Sequence, residues 1–114
     1  MAAQVDPRSG IKYGWVLGES GWNGENDQNL LMIGQVGFHL SVLDRDLTAP
    51  PGSPVTGDCY IPAATATGDW ASHEDEVAIY DGAAWVFYAP RIGWVGYIED
   101  EEKLTAFKAG GWSA

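Results

Sequence analysis

A proline- and glycine-rich stretch over residues 40–62, LSVLDRDLTAPPGSPVTGDCYIP, constrains the fold of this chain more than any other feature. Pro50 and Pro51 cannot lie inside a helix, and each proline drives the residue before it to extended backbone. Gly57 begins a turn, and Cys59 starts a new extended run. The sequence before this stretch is apolar and helix-like, and the sequence after it is rich in tryptophan and short strand patterns. We therefore expect the architecture to change here from helix to sheet.

The segment before the break predicts a helix over residues 26–43 that is apolar on nearly all sides. Within residues 30–43 only Gln35, His39 and Ser41 are clearly polar. A surface helix normally has one apolar stripe and a charged opposite face. One face of this helix can cover a sheet, so the other faces need a further surface to bury them.

Two glycines lie close together in this helix, Gly34 and Gly37. Each costs a helix about 1 kcal/mol relative to alanine, so a close neighbour is expected to compensate. Three explanations stay open: packing under a tryptophan of the same chain, packing against copies of the same helix around a symmetry axis, and a helix broken at Gly34. For the second, we predict a homotrimer with the helices at its centre and an interface formed by Leu30, Leu31, Gly34, Gly37, Phe38 and Ser41.

The helix start has several cap candidates. Asn23, Asn26 or Asp27 could accept hydrogen bonds from the free backbone N–H groups of the first turn. Glu25 and Asp27 also suit the positive end of the helix dipole.

The second half of the chain contains an internal repeat with a shift of 27 residues. DWASHEDEVAIYDGAAW, residues 69–85, aligns without gaps on GYIEDEEKLTAFKAGGW, residues 96–112. Each copy reads as an acidic turn, a short strand, a small-residue hairpin turn and a tryptophan that opens the return strand. The aligned pairs are Trp70 with Tyr97, Glu74 with Glu101, Val77 with Leu104, Tyr80 with Phe107, Gly82 with Ala109 and Trp85 with Trp112.

These patterns predict an α+β protein that is mostly β: one N-terminal apolar helix, then a small antiparallel meander with a two-fold hairpin repeat. We divide the chain into an N-terminal arm and loop (1–22), a helix for oligomerisation (23–43), a Pro/Gly-rich connector with the first strand (44–62) and a Trp-rich β repeat region (63–114). The length suits one domain.

The charge balance excludes several partners. The net charge is −10, and a surface this acidic repels phosphates, so we expect no nucleic acid and no anionic membrane as partner. No run reaches the roughly 18 apolar residues of a membrane span. The N-terminus, MAAQVDPRSG, lacks the charged-then-apolar pattern of an export signal, so synthesis and assembly in a cytoplasm are expected.

No residue pattern indicates catalysis, a cofactor or a metal. Asp44 and Asp46 flank Arg45. We explain these two aspartates by turn capping and an ion pair with Arg45 rather than by a metal. The acidic runs at 74–76 and 99–102 are expected to be solvated turns. Cys59 is expected to be buried and inert, His39 to be a satisfied buried imidazole and His73 to be solvated. We therefore predict that the protein is not an enzyme.

Three tryptophans have a second interpretation. Trp15 and Trp22 are most simply local core residues over the helix. Because aromatic rings also stack on sugars, Trp15, Trp22 and Trp94 are the candidates for glycan stacking.

One combination of motifs resembles a known family. VLDRDLTAPPGSPVTGDCYIP, followed by ATGDW, an IYDG..W strand pair and a P-R-x-G-W segment, resembles a domain family of uncharacterised function. That family occurs in virion proteins (fibre, spike, tail or head decoration) of phages, prophages and gene transfer agents, mainly those infecting alphaproteobacteria. The resemblance covers residues 22–112, and WNGENDQNL also resembles the segment that leads into the helix of phage fibre proteins. It implies a virus particle as the setting and no catalytic residues.

The expected function is that of a structural virion protein, a fibre, spike or capsid-decoration module that self-assembles and faces outward from the particle. Its expected partners are copies of itself and other virion proteins such as capsid or tail. The alternative is a carbohydrate-binding adhesin module that attaches to glycans of the host surface.

Overall fold

The structure is a computed structural model that describes residues 4–37 and 39–114. The chain forms two units, Met1–Phe38 and His39–Ala114. The first contains strands β1 (Gln4–Val5) and β2 (Lys12–Tyr13), helix α1 (Trp22–Met32) and a π-helical segment (Ile33–Gly37). The second contains a 3-10 turn (Gly68–Trp70) and seven strands: β3 (Ser41–Val42), β4 (Cys59–Tyr60), β5 (Val77–Tyr80), β6 (Trp85–Tyr88), β7 (Val95–Ile98), β8 (Lys103–Lys108) and β9 (Gly111–Trp112). The predicted mostly-β character with some helix is confirmed.

The first unit is a small hairpin fastened to a helix by one side chain. β1 and β2 pair antiparallel around a turn in which the Asp6 carboxylate accepts a hydrogen bond from the Ser9 hydroxyl and one from the Arg8 backbone N–H. The Asn29 amide of α1 then bonds both backbone groups of Lys12, at 2.9 and 2.8 Å. Of the described residues of this unit, Asn29 is the one that is buried. A paired polar contact, and not an apolar core, therefore joins hairpin and helix.

The helix differs from the prediction at both ends. It begins at Trp22, where Gly21 has a positive φ of 85° and supplies no side-chain cap, so the predicted caps Asn23, Asn26 and Asp27 are wrong. The α-helix ends at Met32, and the predicted continuation to residue 43 is wrong because Ser41–Val42 is a strand.

Parallel pairing is the physical reason for that strand. Tyr97 and Glu99 donate backbone hydrogen bonds to the carbonyls of Leu40 and Val42 at 2.9 and 2.7 Å. Leu40 and Val42 are buried while Ser41 is exposed, which is the alternation of a half-buried strand.

The second unit is organised around β3. One sheet has the strand order β3-β7-β8-β9 and another has the order β4-β5-β6. Leu43 donates to the Cys59 carbonyl at 2.8 Å and Asp44 forms a parallel bridge with Tyr60. The segment around β3 therefore pairs with β7 on one side and with β4 on the other. The predicted meander of purely antiparallel strands is wrong at these two parallel pairings.

The apolar core lies in this second unit. Gly96 packs closely within it, because a Cβ there would lie 3.1 Å from Leu40 Cδ2 and the leucine side chain would have to shift. Trp70 is fully buried, with its ring 5.5 Å from Tyr60 and 5.3 Å from Trp85. The buried apolar residues are Leu40, Val42, Cys59, Ile61, Trp70, Val77, Ala78, Ile79 and Ile98.

The two hairpins β5–β6 and β8–β9 share local geometry under the 27-residue shift. Tyr80 pairs with Trp85 and Phe107 pairs with Trp112, and in both pairs the ring centroids are 5.2 Å apart. Asp75 and Glu102, which also correspond, both have positive φ, 66° and 52°.

The segments before these hairpins differ. Trp70 is buried in a 3-10 turn, whereas its aligned partner Tyr97 is exposed in a strand. The predicted equivalence of this pair is therefore wrong.

Candidate interaction surfaces

The first unit exposes most of its large apolar side chains. Trp22, Leu30 and Leu31 are 52%, 58% and 59% exposed. The hairpin and loop add four more, and the π-helical segment one, so the full set is Val5, Tyr13, Val16, Leu17, Trp22, Leu30, Leu31 and Ile33. Most of the large apolar side chains described in this unit therefore lie outside an apolar core.

The two helix glycines lie in the π-helical segment. A Cβ at Gly34 would meet nothing within 4 Å, and one at Gly37 would meet only Met32 and Ile33 at ordinary distances. Among the described residues, no tryptophan therefore packs against Gly34, although such packing was one of the three explanations. The break in the α-helix falls one residue earlier than this glycine, and π-helical turns occur often at functional sites.

The six predicted interface residues belong to different parts of the chain. Leu30 and Leu31 are exposed on α1, and both glycines are exposed in the π-helical segment. Phe38 lies outside the described residues. Ser41 belongs to β3 of the second unit, where its hydroxyl donates to Glu99 Oε2 at 2.6 Å, so its assignment to a helix face is wrong.

The three candidate glycan-stacking tryptophans have different surroundings. Trp22 is half exposed. Trp15 is partly buried and its Nε1 donates to Glu25 Oε1 at 3.0 Å, which links the loop to α1. Trp94 is partly buried in the other unit, directly before β7. Of the three, Trp22 offers the largest free ring surface.

Arg45 holds together distant parts of the second unit. Its guanidinium donates to both carboxylate oxygens of Glu101, at 2.9 and 2.8 Å, and to the Ser113 carbonyl at 2.7 Å. The pair lowers the pKa of Glu101 and raises that of Arg45, since the hydrogen bonds favour both charged forms. Arg45 therefore pairs with Glu101 and not, as predicted, with its neighbouring aspartates. Sequence spacing could not reveal this ion pair, because Arg45 and Glu101 lie 56 residues apart.

A third aspartate joins the predicted pair. Carboxylate oxygens of Asp44, Asp46 and Asp100 lie within 4.8 Å of one another. The predicted turn capping is confirmed, since Asp44 accepts from the Asp46 backbone N–H. The pKa of Asp100 is raised by desolvation and by the neighbouring acidic charges. Oxygen ligands of this kind suit Ca²⁺, and Asp100 was missed because it lies on the β7–β8 turn, far away in sequence.

The remaining reactive side chains are engaged or inert. Cys59 is buried as predicted, and burial raises the pKa of its thiol to about 12. His73 is not simply solvated: its ring stacks on Phe87 with centroids 3.6 Å apart, and Nδ1 lies 2.7 Å from Glu76. His39 is exposed and outside the helix, so the predicted buried imidazole is wrong.

Both acidic runs form turns, as predicted, but each has a tethered member. Glu74 accepts a hydrogen bond from the Ala66 backbone N–H at 3.0 Å, and Glu101 holds Arg45. These two glutamates correspond under the 27-residue shift. Each turn is therefore fixed by one glutamate rather than wholly solvated.

A further apolar surface was missed from the sequence. On β7 and β8, Val95, Tyr97 and Leu104 are exposed, and Tyr97 and Leu104 are directly paired. The signal was present in the alternation of VGYI, whose residues are exposed and buried in turn.

Within the described residues, no helix has the length and apolar character needed to cross a bilayer. No curated protein and no solved structure matches the chain. Residues 26–113 match the family DUF2793, described as a protein of unknown function. The match covers the end of the first unit and nearly all of the second. Because it covers well over half of the sequence, the chain belongs to the DUF2793 family.

Proposed function

We propose that this protein is a structural phage virion component, a fibre, spike or capsid-decoration module that self-assembles and is displayed on the particle exterior. The observation that carries the proposal is the first unit, which exposes eight large apolar side chains and buries only Asn29 among its described residues. A unit of this size without an apolar core gains stability by burying that surface against a partner. The family resemblance supplies the virion setting.

The partner for this surface is further copies of the chain, and a trimer is the proposed state. Gly34 has open space around it, so a neighbouring helix can approach closely there. Closed symmetry buries the same apolar face of every copy without leaving a free end.

Self-assembly is tested by light scattering and sedimentation at micromolar concentration. The wild type is expected to be a trimer, and Leu31→Glu is expected to dissociate it, because a carboxylate would be buried in the interface. Ser53→Glu is the matched control, since it adds the same charge at an exposed loop position of the second unit. Gly37→Leu should also disturb assembly while the near-UV circular dichroism of the sheet is unchanged. A monomeric wild type would refute the proposal.

The net charge of −10 supports an outward position. Coulombic attraction to packaged DNA is absent at this charge, so contacts with capsid or tail are expected to be apolar or made to basic patches. Assembly should strengthen as salt rises, because the Debye length falls from about 30 Å at 0.01 M to about 8 Å at 0.15 M and the acidic copies repel less. Dissociation over that range would show that ionic contacts dominate. Antibody labelling of intact particles tests the exterior location directly.

A non-catalytic role is part of the proposal, with no cofactor and no metal required. The Cys59 thiol stays protonated at neutral pH, and His73 is held by Phe87 and Glu76. Production in the host cytoplasm and a final place in the virion follow from the same setting, with no nucleic acid or membrane as partner.

We also propose that the two hairpins β5–β6 and β8–β9 are copies of one unit. The equal ring distances of the aromatic pairs and the shared positive φ of Asp75 and Glu102 support this. Because the segments before β5 and β8 differ, the proposal covers the hairpins alone.

The second candidate function is binding of host-surface glycans, favoured by the half-exposed ring of Trp22. Quenching of tryptophan fluorescence by a panel of cell-surface oligosaccharides tests it. Loss of quenching in Trp22→Ala, with Trp94→Ala unchanged, would support stacking on Trp22. No response of the wild type to any member of the panel would refute it.

A further inference from the structure

The outward side of the β3-β7-β8-β9 sheet carries an apolar patch that the fold leaves uncovered. We call the outer face the surface formed by Ser41, Val95, Tyr97, Leu104 and Ala106. Register places Ser41, Tyr97 and Leu104 in one row across three strands and Val95 beside Ala106 in the next row. Val95 and Leu104 are 56% and 66% exposed. The other side of the same strands carries the buried Gly96, Ile98 and Thr105.

The related hairpin shows that this face has the composition of a covered one. Under the 27-residue shift, Leu104 and Ala106 correspond to Val77 and Ile79. Both of those residues are buried, as is Cys59, the strand partner of Ile79. The strand partner of Ala106 is the exposed Val95. One of two similar sheet faces is therefore covered within the chain, and the other is open.

Charges at the two ends of the outer face are opposite in sign. Glu99 lies at one end, where it accepts a hydrogen bond from the Ser41 hydroxyl. Lys108 lies exposed at the other end, on the same side of β8 as Leu104 because alternate residues of a strand share a face. The two ends of the face thus carry charges of opposite sign, on a chain whose net charge is −10. A uniformly basic or acidic partner would meet repulsion at one end.

We propose that the outer face is a contact surface between two copies of this chain, packed face to face with their strands antiparallel. A two-fold axis in the contact plane, running across the strands, places Lys108 of each copy over Glu99 of the other. The same rotation places Tyr97 and Leu104 over the apolar rows of the partner. The partner is a second copy because this charge pattern is complementary to itself.

The size of the face sets the strength of this contact. Four strands about 4.8 Å apart, the longest of six residues at about 3.3 Å each, give a face of at most roughly 400 Å². Stable complexes bury about 800 Å² per partner, so two single copies associate weakly. Where helix contacts already join several copies, the linked faces bind at a higher effective concentration. Only this increased strength of the outer-face contact rests on the proposed self-assembly; the geometry of the contact does not.

Charge reversal tests the arrangement in the full chain. Sedimentation velocity is measured from micromolar concentration up to about 1 mM. The wild type is expected to form larger assemblies at high concentration than at low concentration, and we call this increase in size growth. Lys108→Glu and Glu99→Lys are each expected to weaken that growth at least tenfold in association constant, because like charges then meet at both ends. The double variant is expected to restore it, and its net charge equals that of the wild type.

Glu99→Lys separates this contact from general repulsion. It lowers the net negative charge, so a purely long-range effect would strengthen association, whereas the proposed contact weakens it. Leu104→Glu should abolish growth. Leu104 is exposed, so this variant is expected to keep the wild-type near-UV circular dichroism.

The outcomes distinguish the two proposals. Growth that is unchanged in Leu104→Glu, or single reversals that act like the wild type, would overturn the outer-face contact and leave helix assembly standing. Failure of the double variant to recover would overturn the antiparallel arrangement. A wild type that is monomeric at micromolar concentration but shows the reversal pattern on concentration would overturn helix assembly and support the outer-face contact.

Discussion

Replacement of Trp70 tests how the second unit is held together. The ring is fully buried, and it lies 5.5 Å from Tyr60 and 5.3 Å from Trp85. Its Nε1–H has no hydrogen-bond acceptor among the described residues. The packing of the ring stabilises the fold, whereas the unpaired N–H destabilises it. Two substitutions at this position separate the two effects.

Truncation removes the packing, and replacement by phenylalanine removes mainly the N–H. Trp70→Ala is expected to lower the free energy of unfolding by about 3–5 kcal/mol. Trp70→Phe leaves a cavity of roughly 40 Å³, which costs about 1 kcal/mol at ~24 cal/mol per Å³. It also removes an unpaired buried donor, whose burial costs about 1–3 kcal/mol. We therefore expect Trp70→Phe to be as stable as the wild type or up to about 2 kcal/mol more stable.

The assay is urea unfolding followed by near-UV circular dichroism. Trp112→Phe is the matched control, because Trp112 Nε1 donates to the Asp75 carbonyl at 2.8 Å. Loss of that hydrogen bond is expected to cost about 1 kcal/mol. If Trp70→Phe destabilises the protein as much as Trp70→Ala, the unpaired donor is not there and the reasoning is refuted.

Three further predictions follow from single contacts. Arg45 holds the pKa of Glu101 below its usual 4.5. The stabilisation from this pair is therefore present above pH 4.5 and is lost as the pH falls through the lower folded pKa. Glu101→Gln should show a smaller loss of thermal stability on acidification than the wild type. The Cys59 thiol has a pKa of about 12 in the folded protein against 9.0 when unfolded, so the stability of the protein should fall as the pH rises from 9.0 towards 12. This fall should be smaller in Cys59→Ala. Iodoacetamide should modify the thiol only in urea. Gly82→Ala should destabilise the protein by more than Gly93→Ala in urea unfolding, because both glycines have φ near 100° but only at Gly82 would a Cβ lie 2.8 Å from a threonine hydroxyl; equal effects would contradict this.

Local patterns predicted the second half of the chain better than the first. The turn at Gly57, the strand starting at Cys59 and the hairpin turn before Trp112 all follow from residues adjacent in sequence. These features need no knowledge of distant partners, so the sequence is sufficient for them.

The errors arose where a distant partner decides the conformation. Residues 40–43 fit both a helix and a strand pattern, and the hydrogen bonds from Tyr97 and Glu99 select the strand. The pairing of Arg45 with Glu101 and the approach of Asp100 to Asp44 depend on the same parallel alignment. Neither composition nor spacing carries that information.

The central position of β3 has a consequence for the order of folding. β3 is the first strand of its unit to be synthesised, yet its partner β7 begins more than fifty residues later. Its hydrogen bonds to β7 must therefore wait until most of the unit has left the ribosome, and loop closure over that distance slows the step. Until then, the strand edge and the apolar residues around Val42 remain open to other chains. Slower synthesis at low temperature should therefore increase the yield of folded protein, and fragments that end before β7 should aggregate.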